Sequence, residues 1–465
     1  MTQQKSRRHC KNGHSAQDFE DEERGEACAS EDTPFLPHAS SPRSPSGIFN
    51  RLKTNSVLSL LFLVLLALIF AVLAYLFLPP LPHPGSKRFS ELKDFCRTVP
   101  PLPAAEYGIR RQRLARALQE ENARGLVLEP GAMMQYFVNI TWSQSERPFV
   151  VVIDAEGEVV VLTPSFEKTR ARDAVQKADG LAVRMVEWGE SEDPFKILAG
   201  NITGPVQLDD GLRYFVASGL SKHITTTPSS PRIKAIRRSK TLHELNLLRC
   251  VNQATARALR LVKNEIRVGM SEETVKGLVF EALETAGLTN TWAIVSVDAH
   301  AALPHGGRGG SRVEKDSLVL IDMGGEYQQY QSDLTRTFTL SSSLDANRTD
   351  IWNAVQSAQQ QAIRSIRPGV LASDVDAVAR RVIEEAGYGA MFTHRLGHGI
   401  GLEVHEEPYL HAGNERPLQV GDTFSVEPGV YWEGFTGVRL EDIVEVTEDG
   451  ASVLAGPLAT SPRDP

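Results

Sequence analysis

The chain has 465 residues, of which 41% are hydrophobic and 23% are charged, so it has room for two or three domains with a large core. Its formal net charge of −8 argues against nucleic acid as a partner, and we expect none. Its four cysteines are too few for a disulfide scaffold, and the sequence leaves open whether Cys96 and Cys250 pair, because pairing requires an oxidising compartment.

The N-terminal 88 residues are predicted to form a tail, a membrane span and a stalk. Residues 1–55 are polar and mixed in charge, which predicts a disordered tail. Residues 56–78 carry no charge over twenty-three positions, enough for a helix to cross a bilayer and too long for a cleaved signal peptide. Residues 79–88 are rich in proline, which predicts a short stiff stalk.

The orientation predicted for this span has a cytosolic N-terminus and places the large C-terminal part of the chain in a lumen or outside the cell. Basic residues balance across the two flanks, and only the nearest flank, with Arg51 and Lys53, favours this orientation. Three glycosylation sequons lie after the span and none before it; they begin at Asn139, Asn201 and Asn347. The sequence therefore predicts a single-pass membrane glycoprotein, with a signal-anchor at residues 56–78.

The rest of the chain is predicted to form two domains. Residues 89–235 alternate between helix-like and strand-like stretches, which is typical of an α/β domain. Residues 236–460 contain long amphipathic helices and hairpin-joined strands, which predicts an α+β domain with a curved antiparallel sheet. Strands are expected in this second domain at 317–322, 329–340, 422–427 and 437–446. We find no repeat with a period of 20 to 50 residues.

Carboxylates and histidines are concentrated in four short stretches of the second domain. The stretch "LIDMGGEYQQYQSDLTRTF" places Asp322 and Asp333 eleven residues apart on a predicted hairpin. Three histidines lie in "HRLGHGIGLEVHEEP", Glu427 lies in "FSVEPGVY", and Arg439 and Glu441 lie in "GVRLED". Strands disfavour aspartate, and a buried carboxylate without a partner is costly. Each stretch alone has a neutral explanation, such as solvent exposure, but their joint occurrence predicts a site.

The charge of this set predicts a centre for two metal ions. Four carboxylates that converge alone would repel one another and take up protons. Two divalent cations would balance Asp322, Asp333, Glu427 and Glu441, with His398 as a neutral ligand. Ligation dominated by oxygen with one imidazole favours a hard ion such as Mn²⁺, with Co²⁺ or Zn²⁺ as alternatives.

These stretches resemble the motifs of the superfamily that contains Xaa-Pro aminopeptidase, prolidase, creatinase and methionine aminopeptidase. The resemblance covers about residues 236–450, and the segment before it resembles the N-terminal domain of the proline-specific members. It implies a pita-bread metallopeptidase domain preceded by a smaller α/β domain of the creatinase type. It also implies a homodimer, since two-domain members often assemble as dimers. Residues 1–88 have no counterpart in this resemblance.

The resemblance also implies roles for individual residues. The expected metal ligands are Asp322, Asp333, His398, Glu427 and Glu441, and the expected bridging ligands among them are Asp333 and Glu441. The expected catalytic residues are His305 in "AALPHGG", His405 and Glu427, with Glu427 as general base. The expected substrate-binding residues are His394 and Arg439. One departure is His300, which stands after Asp298 where an asparagine is common and leaves the contacts of that loop open.

The implied function is a membrane-anchored peptidase that removes the N-terminal residue from peptides with proline at the second position. The implied mechanism is attack by a hydroxide that bridges the two metal ions. The alternatives are a prolidase acting on Xaa-Pro dipeptides and a silent binding module of the same fold. The complete ligand set argues against a silent module and a metal-free creatinase, and the additional α/β domain argues against a methionine aminopeptidase. The sequence does not decide the length of the substrate.

Overall fold

The computed structural model describes Leu65 and residues 87–178, 180–307 and 309–464. The predicted tail, the predicted span apart from Leu65, and the predicted stalk up to residue 86 lie outside the described residues.

The prediction of a transmembrane helix is contradicted, because no helix among the described residues is both long enough and apolar enough to cross a bilayer. The two longest described helices, Leu242–Glu265 and Ala346–Ser365, contain charged residues and bury one face against a sheet. They are therefore amphipathic helices of a folded core. The fold class is corrected, for the described residues, to an α/β domain followed by an α+β domain, and the transmembrane helix is withdrawn from it.

The predicted localisation is corrected with the helix on which it depended. A cytosolic N-terminus, a lumenal or extracellular catalytic domain, and membrane contact through residues 56–78 all required that span, and none is retained. The glycoprotein interpretation loses its basis for the same reason. Of the sequon asparagines, Asn347 is exposed and Asn139 is half-buried, while Asn201 donates its Nδ2 hydrogen to the Ile197 carbonyl over 2.9 Å.

The N-terminal domain is a mixed sheet covered by helices on both faces. Its helices are α1 (Ala104–Glu120), α2 (Ala132–Val138), α3 (Lys168–Gln176), α4 (Pro194–Ala199), α5 (Tyr214–Leu220) and α6 (Pro231–Arg238). Its strands are β1 (Gly125–Leu128), β2 (Val150–Asp154), β3 (Val159–Pro164), β4 (Arg184–Trp188), β5 (Val206–Leu208) and β6 (Thr226–Pro228), and 3-10 turns occur at Lys87–Leu92 and Ser165–Glu167.

The six strands of this sheet lie in the order β4-β3-β2-β1-β5-β6. Strand β2 is antiparallel to both of its neighbours, and the outer pairs are parallel. Alternate side chains of β2 enter two separate cores, with Val150 and Val152 in one and Val151 and Ile153 in the other. A strand buried on both faces explains the continuous apolar run in the sequence.

The second domain contains four helices and two main sheets. Its helices are α7 (Leu242–Glu265), α8 (Glu272–Thr285), α9 (Ala346–Ser365) and α10 (Ala372–Glu385), with 3-10 turns at Asp298–Ala302 and Gly389–Met391. Its strands are β7 (Thr289–Val297), β8 (Leu318–Tyr327), β9 (Tyr330–Gln331), β10 (Leu334–Thr339), β11 (Gly397–Gly399), β12 (Glu406–Leu410), β13 (Thr423–Val426), β14 (Gly429–Trp432), β15 (Thr436–Arg439), β16 (Asp442–Thr447) and β17 (Gly450–Val453).

This domain is built from two similar halves. In the first, α7 and α8 pack on the sheet β10-β8-β7, to which β9 adds at β8. In the second, α9 and α10 pack on the sheet β12-β11-β13-β16-β17. Helices α8 and α10 have 14 residues each and begin at positions 272 and 372, and Gly269 and Gly369 precede them with φ of 92° and 89°. The spacing of about 100 residues between the two halves is longer than the period of 20 to 50 residues that is typical of repeat proteins.

The register of the strands brings the acidic residues of the two halves together. Asp322 on β8 lies opposite Thr335 on β10, and Val426 at the end of β13 lies opposite Asp442 at the start of β16. Glu427 and Glu441, which adjoin that last pair, are therefore neighbours at the same sheet edge.

A buried ion pair fastens the two halves beside this edge. Arg336 on β10 donates to the Glu441 carbonyl over 2.6 Å and to Asp442 Oδ1 over 2.8 Å. Gln359 on α9 donates to the other oxygen of Asp442 over 3.0 Å. The Arg336 and Asp442 side chains are 2% and 0% exposed, so neither has water as an alternative partner.

A second buried network joins the N-terminal domain to the β8–β10 hairpin. Arg110 on α1 donates to the Tyr330 hydroxyl over 3.3 Å and lies 3.4 Å from Glu244 on α7. Tyr330, on β9, donates to Glu244 Oε1 over 2.9 Å. The N-terminal domain thus supports the hairpin between Asp322 and Asp333.

The cysteine pairing that the sequence left open is present in the structure. Cys96 and Cys250 form a disulfide with their Cα atoms 5.8 Å apart. The bond connects the segment before α1 to helix α7, where Asn252 Oδ1 accepts a hydrogen bond from the Asp333 amide over 3.3 Å.

We predict that Arg336→Leu lowers the free energy of unfolding by about 3–5 kcal/mol, because it leaves Asp442 buried without its cation. Denaturant unfolding followed by circular dichroism measures this loss. The matched control is Arg381→Leu on the exposed face of α10, with an expected change within about 0.5 kcal/mol. Adding Asp442→Asn to Arg336→Leu should restore part of the loss. A cost below about 1 kcal/mol for Arg336→Leu would contradict the role given to this pair.

Candidate metal centre

Five side chains from five segments of the second domain line one cavity of about 630 Å³. They lie on or beside the strand ends described above: Asp322 in β8, Asp333 before β10, His398 in β11, Glu427 after β13 and Glu441 before β16. Four of them are buried and Glu427 is half-buried. The structure therefore brings together all five residues that the sequence predicts as metal ligands.

His398 lies at the centre of the carboxylates. Its Nε2 atom is 3.3 Å from Glu427 Oε1, 3.6 Å from Asp333 Oδ2 and 4.0 Å from Glu441 Oε1. Asp322, Asp333 and Glu441 form a second group in which the ligand atoms lie within 4.8 Å of one another. Two overlapping groups that share Glu441 are spaced for two ions close together.

Glycines allow the strand that carries His398 to lie between two neighbours. A Cβ atom on Gly397 would be 1.9 Å from the Ser425 carbonyl oxygen, and one on Gly399 would be 2.2 Å from the Glu407 carbonyl oxygen. Both distances are impossible for a side chain, so only glycine fits on either side of His398. The "GHG" in the sequence is thus explained by close backbone packing.

Three carboxylate oxygens in this cavity are buried and accept no hydrogen bond: Asp322 Oδ1, Asp333 Oδ1 and Glu441 Oε1. The second oxygen of Asp322 accepts from Arg439 over 2.7 Å, and that of Glu441 accepts from Thr335 Oγ1 over 2.6 Å. Buried oxygens without partners are rare because desolvation is costly. Free carboxylate oxygens next to a neutral imidazole fit divalent cations, so the residues present fit a metal centre.

The electrostatics of the cavity agree with this donor chemistry. Burial raises the pKa of Asp333 and Glu441 well above the usual range, and neighbouring carboxylates raise both further. Burial raises the pKa of Glu427 to about 7, partly opposed by the charge of Arg439. The negative charges thus destabilise one another, and a bound cation would relieve that repulsion.

Burial favours the neutral form of His394, His398 and His405. Burial lowers the pKa of His398 to about 3 and that of His394 to about 4. His405 is exposed, and its ring meets the His398 ring edge to face with the centroids 4.1 Å apart. His305 is also exposed and lines the same cavity. Neutral imidazoles can ligate a cation or donate a hydrogen bond.

Both ring nitrogens of His394 are engaged within the protein. Its Nδ1 hydrogen is donated to the Arg395 carbonyl over 2.6 Å, so Nε2 accepts from the Tyr431 hydroxyl over 2.8 Å. The Tyr431 oxygen in turn accepts from Arg439 over 3.0 Å. His394 therefore offers a substrate its ring surface, and its polar atoms serve the protein.

Arg439 is likewise held by protein groups. Besides Asp322 and Tyr431, it donates to Thr335 Oγ1 over 3.0 Å and to the Pro304 carbonyl over 3.1 Å. Arg439 reaches Glu441 only through Thr335, whose hydroxyl accepts from Arg439 and donates to Glu441. The expected continuous strand 437–446 is also interrupted, with Leu440 and Glu441 between β15 and β16.

Sequence reasoning missed three polar partners of the site: Thr335, Tyr431 and Ser425. Ser425 Oγ donates to Glu427 Oε1 over 3.1 Å. Residues two apart on a strand lie on the same face of the sheet, and this spacing was the one sequence signal for Thr335 and Ser425. Thr335 stands two residues after Asp333, and Ser425 stands two residues before Glu427.

The loop whose contacts the sequence left open is anchored away from the metal ligands. His300 Nδ1 lies 3.0 Å from Glu272 Oε1 at the start of α8. Asp298 accepts from the Leu318 amide over 2.9 Å and from Ser317 Oγ over 2.6 Å. These contacts fix the ends of the loop that carries His305.

Comparison with known proteins identifies two domains in this chain. Residues 246–448 match the profile of "Metallopeptidase family M24", and residues 110–239 match "Creatinase/Prolidase N-terminal domain". An uncharacterized peptidase of Schizosaccharomyces pombe is 35% identical over 87% of this chain and 95% of its own length. An Xaa-Pro dipeptidase of Lactobacillus helveticus is 31% identical over 73% of this chain and 94% of its own length.

The fold agrees with that of solved peptidases. The crystal structure of dipeptidase PepE from Mycobacterium ulcerans superposes with a TM-score of 0.72 at 32% identity. The superposition covers 77% of this chain and 98% of the other. The pita-bread fold and the creatinase-type N-terminal domain predicted from the sequence are confirmed.

We predict that Mn²⁺ raises the melting temperature of the chelator-treated protein. When the ion is at about 100 times its Kd, the free energy of unfolding should rise by about 2.7 kcal/mol. Asp333→Asn should abolish this rise. The metal-free variant should melt no lower than metal-free wild type, because the substitution removes a repelled charge. The control is Asp350→Asn on the exposed face of α9, which should keep the full rise. An unchanged rise in Asp333→Asn would exclude Asp333 as a ligand.

Proposed function

This chain belongs to metallopeptidase family M24 and is a peptide hydrolase with a creatinase-type N-terminal domain, and on that premise we propose that it cleaves dipeptides with proline at the second position. The observation that carries the proposal is the convergence of His398 with four carboxylates, three of which keep a buried oxygen free. A donor set of this kind suits metal-assisted hydrolysis.

The choice of a dipeptide is supported by the relatives. The Lactobacillus helveticus relative is an Xaa-Pro dipeptidase and the Mycobacterium ulcerans structure is a dipeptidase. Sequence motifs alone placed an aminopeptidase for longer peptides first and the dipeptidase second. We propose the reverse order, because the Mycobacterium ulcerans dipeptidase is 32% identical to this chain, whereas the X-Pro aminopeptidase of Thermotoga maritima is 27% identical.

We propose that two divalent ions occupy the centre, and that the oxygen-dominated donor set selects Mn²⁺. One would be held by His398 and Glu427 and the other by Asp322, and Asp333 and Glu441 would serve both ions, because each of these two carboxylates occurs in two of the three sets with ligand atoms within 4.8 Å of one another. When bound, the ions would polarise the scissile carbonyl and lower the pKa of a water molecule.

Glu427 is proposed as the general base and later as the proton donor to the leaving nitrogen. Its carboxylate lines the cavity, where it can take a proton from a water molecule and later release it. Ser425 donates to Glu427 Oε1 and so fixes that oxygen, which leaves the other oxygen for the proton.

His305 and His405 are proposed to bind the substrate. Both are exposed at the cavity, and a neutral imidazole N–H can donate to a carbonyl oxygen as negative charge develops on it. We propose positioning roles for Arg439, which holds Asp322, and for His394, which shapes the cavity wall beside Tyr431. Assembly as a homodimer stays a prediction from the resemblance.

We predict that protein dialysed against chelator and then given Mn²⁺, Co²⁺ or Zn²⁺ releases the N-terminal residue from Xaa-Pro dipeptides. Amino acid release followed by chromatography measures the rate. Glu427→Gln should lower kcat by about 10²–10⁴-fold, because the general base is lost. Glu433→Gln, an exposed glutamate on the β14–β15 turn, is the matched control and should retain wild-type kcat.

Other substrates separate the remaining candidates. Faster cleavage of Xaa-Pro-Xaa tripeptides than of Xaa-Pro dipeptides would establish the aminopeptidase instead. Preferred cleavage of Met-Ala peptides would contradict proline specificity. Metal binding without cleavage of any of these peptides would refute the proposed function.

A further inference from the structure

Two arginines line the metal cavity among the described residues, and they differ in their partners. Arg439 is buried and donates to Asp322, Thr335, Tyr431 and the Pro304 carbonyl. The Arg395 guanidinium is half-buried and forms no ion pair with any carboxylate in the described part of the chain. The cavity therefore contains one permanent positive charge that the protein itself does not neutralise.

The backbone that carries Arg395 is held rigidly. The Leu396 amide donates to Asp376 Oδ1 over 3.0 Å, and the Arg395 carbonyl accepts from His394. Arg380, paired with Asp376, donates to the Phe392 carbonyl over 3.2 Å. The Cα atom of Arg395 is thus fixed on both sides, and its side chain is presented from a rigid support.

The Arg395 side chain is also supported along its length. Its guanidinium carbon lies 4.4 Å from the centroid of the Tyr409 ring on β12. Stacking on an aromatic face orients a guanidinium and leaves the N–H groups at its edge available to a planar acceptor. A rigidly held guanidinium without a partner is suited to bind an anion from solution.

The charge of Arg395 acts at the catalytic end of the cavity. It contributes to the lowered pKa of His405 and His398 and opposes the raised pKa of Glu427. Arg395 lines the same cavity as the four carboxylates that would hold the metal ions, so its charge acts on them and on an anion that enters the cavity.

We propose that Arg395 binds the free C-terminal carboxylate of the dipeptide substrate and thereby makes the site prefer dipeptides to longer peptides. The inference rests on the proposed function, because it takes the scissile carbonyl to lie at the metal centre. In a dipeptide the terminal carboxylate is then one residue from the scissile bond. In a longer peptide the same position carries a neutral amide.

The anionic surroundings explain why a dedicated cation is needed. Asp322, Asp333, Glu427 and Glu441 would repel a carboxylate that enters the cavity. A guanidinium offers a carboxylate two parallel charge-assisted hydrogen bonds, which a neutral amide cannot match. Arg395 therefore favours the one substrate class whose negative end falls beside it.

The test compares Leu-Pro with Leu-Pro-amide, which differ in the charge of the C-terminus. Wild-type protein loaded with Mn²⁺ should cleave the acid with a kcat/KM about 10- to 100-fold higher than the amide, as expected for hydrogen bonds to a charged group. In Arg395→Gln this ratio should approach one, mainly through a higher KM for the acid. Arg395→Lys should recover part of the ratio.

The matched control is Arg381→Gln, an exposed arginine on α10 that should keep the wild-type ratio. A merely structural role of Arg395 predicts equal losses for acid and amide in Arg395→Gln, and that result would overturn the proposal. Equal rates for acid and amide in wild type would overturn it as well, while leaving the proposed dipeptidase function intact.

A binding measurement separates this proposal from the proposed function. Calorimetric titration of the Mn²⁺-loaded protein with proline and with prolinamide needs no turnover. Tighter binding of proline, lost in Arg395→Gln, supports carboxylate recognition even if no Xaa-Pro peptide is cleaved. Equal binding of proline and prolinamide refutes it.

Discussion

The structure depends on the burial of four carboxylates in one cavity. Asp322, Asp333, Glu427 and Glu441 would each be more stable in water, and their charges destabilise one another. The protein compensates this repulsion only in part: Arg439 neutralises Asp322, while hydroxyl groups from Thr335 and Ser425 each bind one oxygen of a glutamate. The negative charge that these contacts leave unneutralised favours the binding of cations in the cavity.

Such a cavity requires support from elements that carry no ligand. The ion pair between Arg336 and Asp442 fastens the two halves of the domain immediately beside Glu441. The network of Arg110, Glu244 and Tyr330 attaches the N-terminal domain to the hairpin that carries both aspartates. The N-terminal domain is therefore part of the architecture of the metal centre, although none of the five ligand side chains belongs to it.

The sequence revealed the ligands because each lies in a short stretch with local reasons for its residues. A charged residue at the end of an apolar strand and glycines around a histidine are visible without a fold. Contacts between distant segments were not visible: Arg395 reaches Tyr409 across a strand turn, and Thr335 links Arg439 to Glu441 across two sheets. The internal similarity of the halves was missed because it lies in helix lengths and glycine conformation at positions such as Gly269 and Gly369. The transmembrane prediction relied on the hydrophobicity of residues 56–78 alone, and no helix of the described residues has the length and apolar character to cross a bilayer.

The disulfide between Cys96 and Cys250 spans 154 positions and closes the whole N-terminal domain into a covalent ring. A single cut in any surface loop of that ring would leave both fragments attached to each other and to helix α7. Because Asn252 on the same helix holds the Asp333 backbone, a nicked chain would keep its metal hairpin connected to its support. The ring also restricts the unfolded chain, which lowers the entropy gained on unfolding. Under reducing conditions the same cut would leave the fragments joined only by non-covalent packing, so the tolerance of the chain to a cut would depend on the redox state.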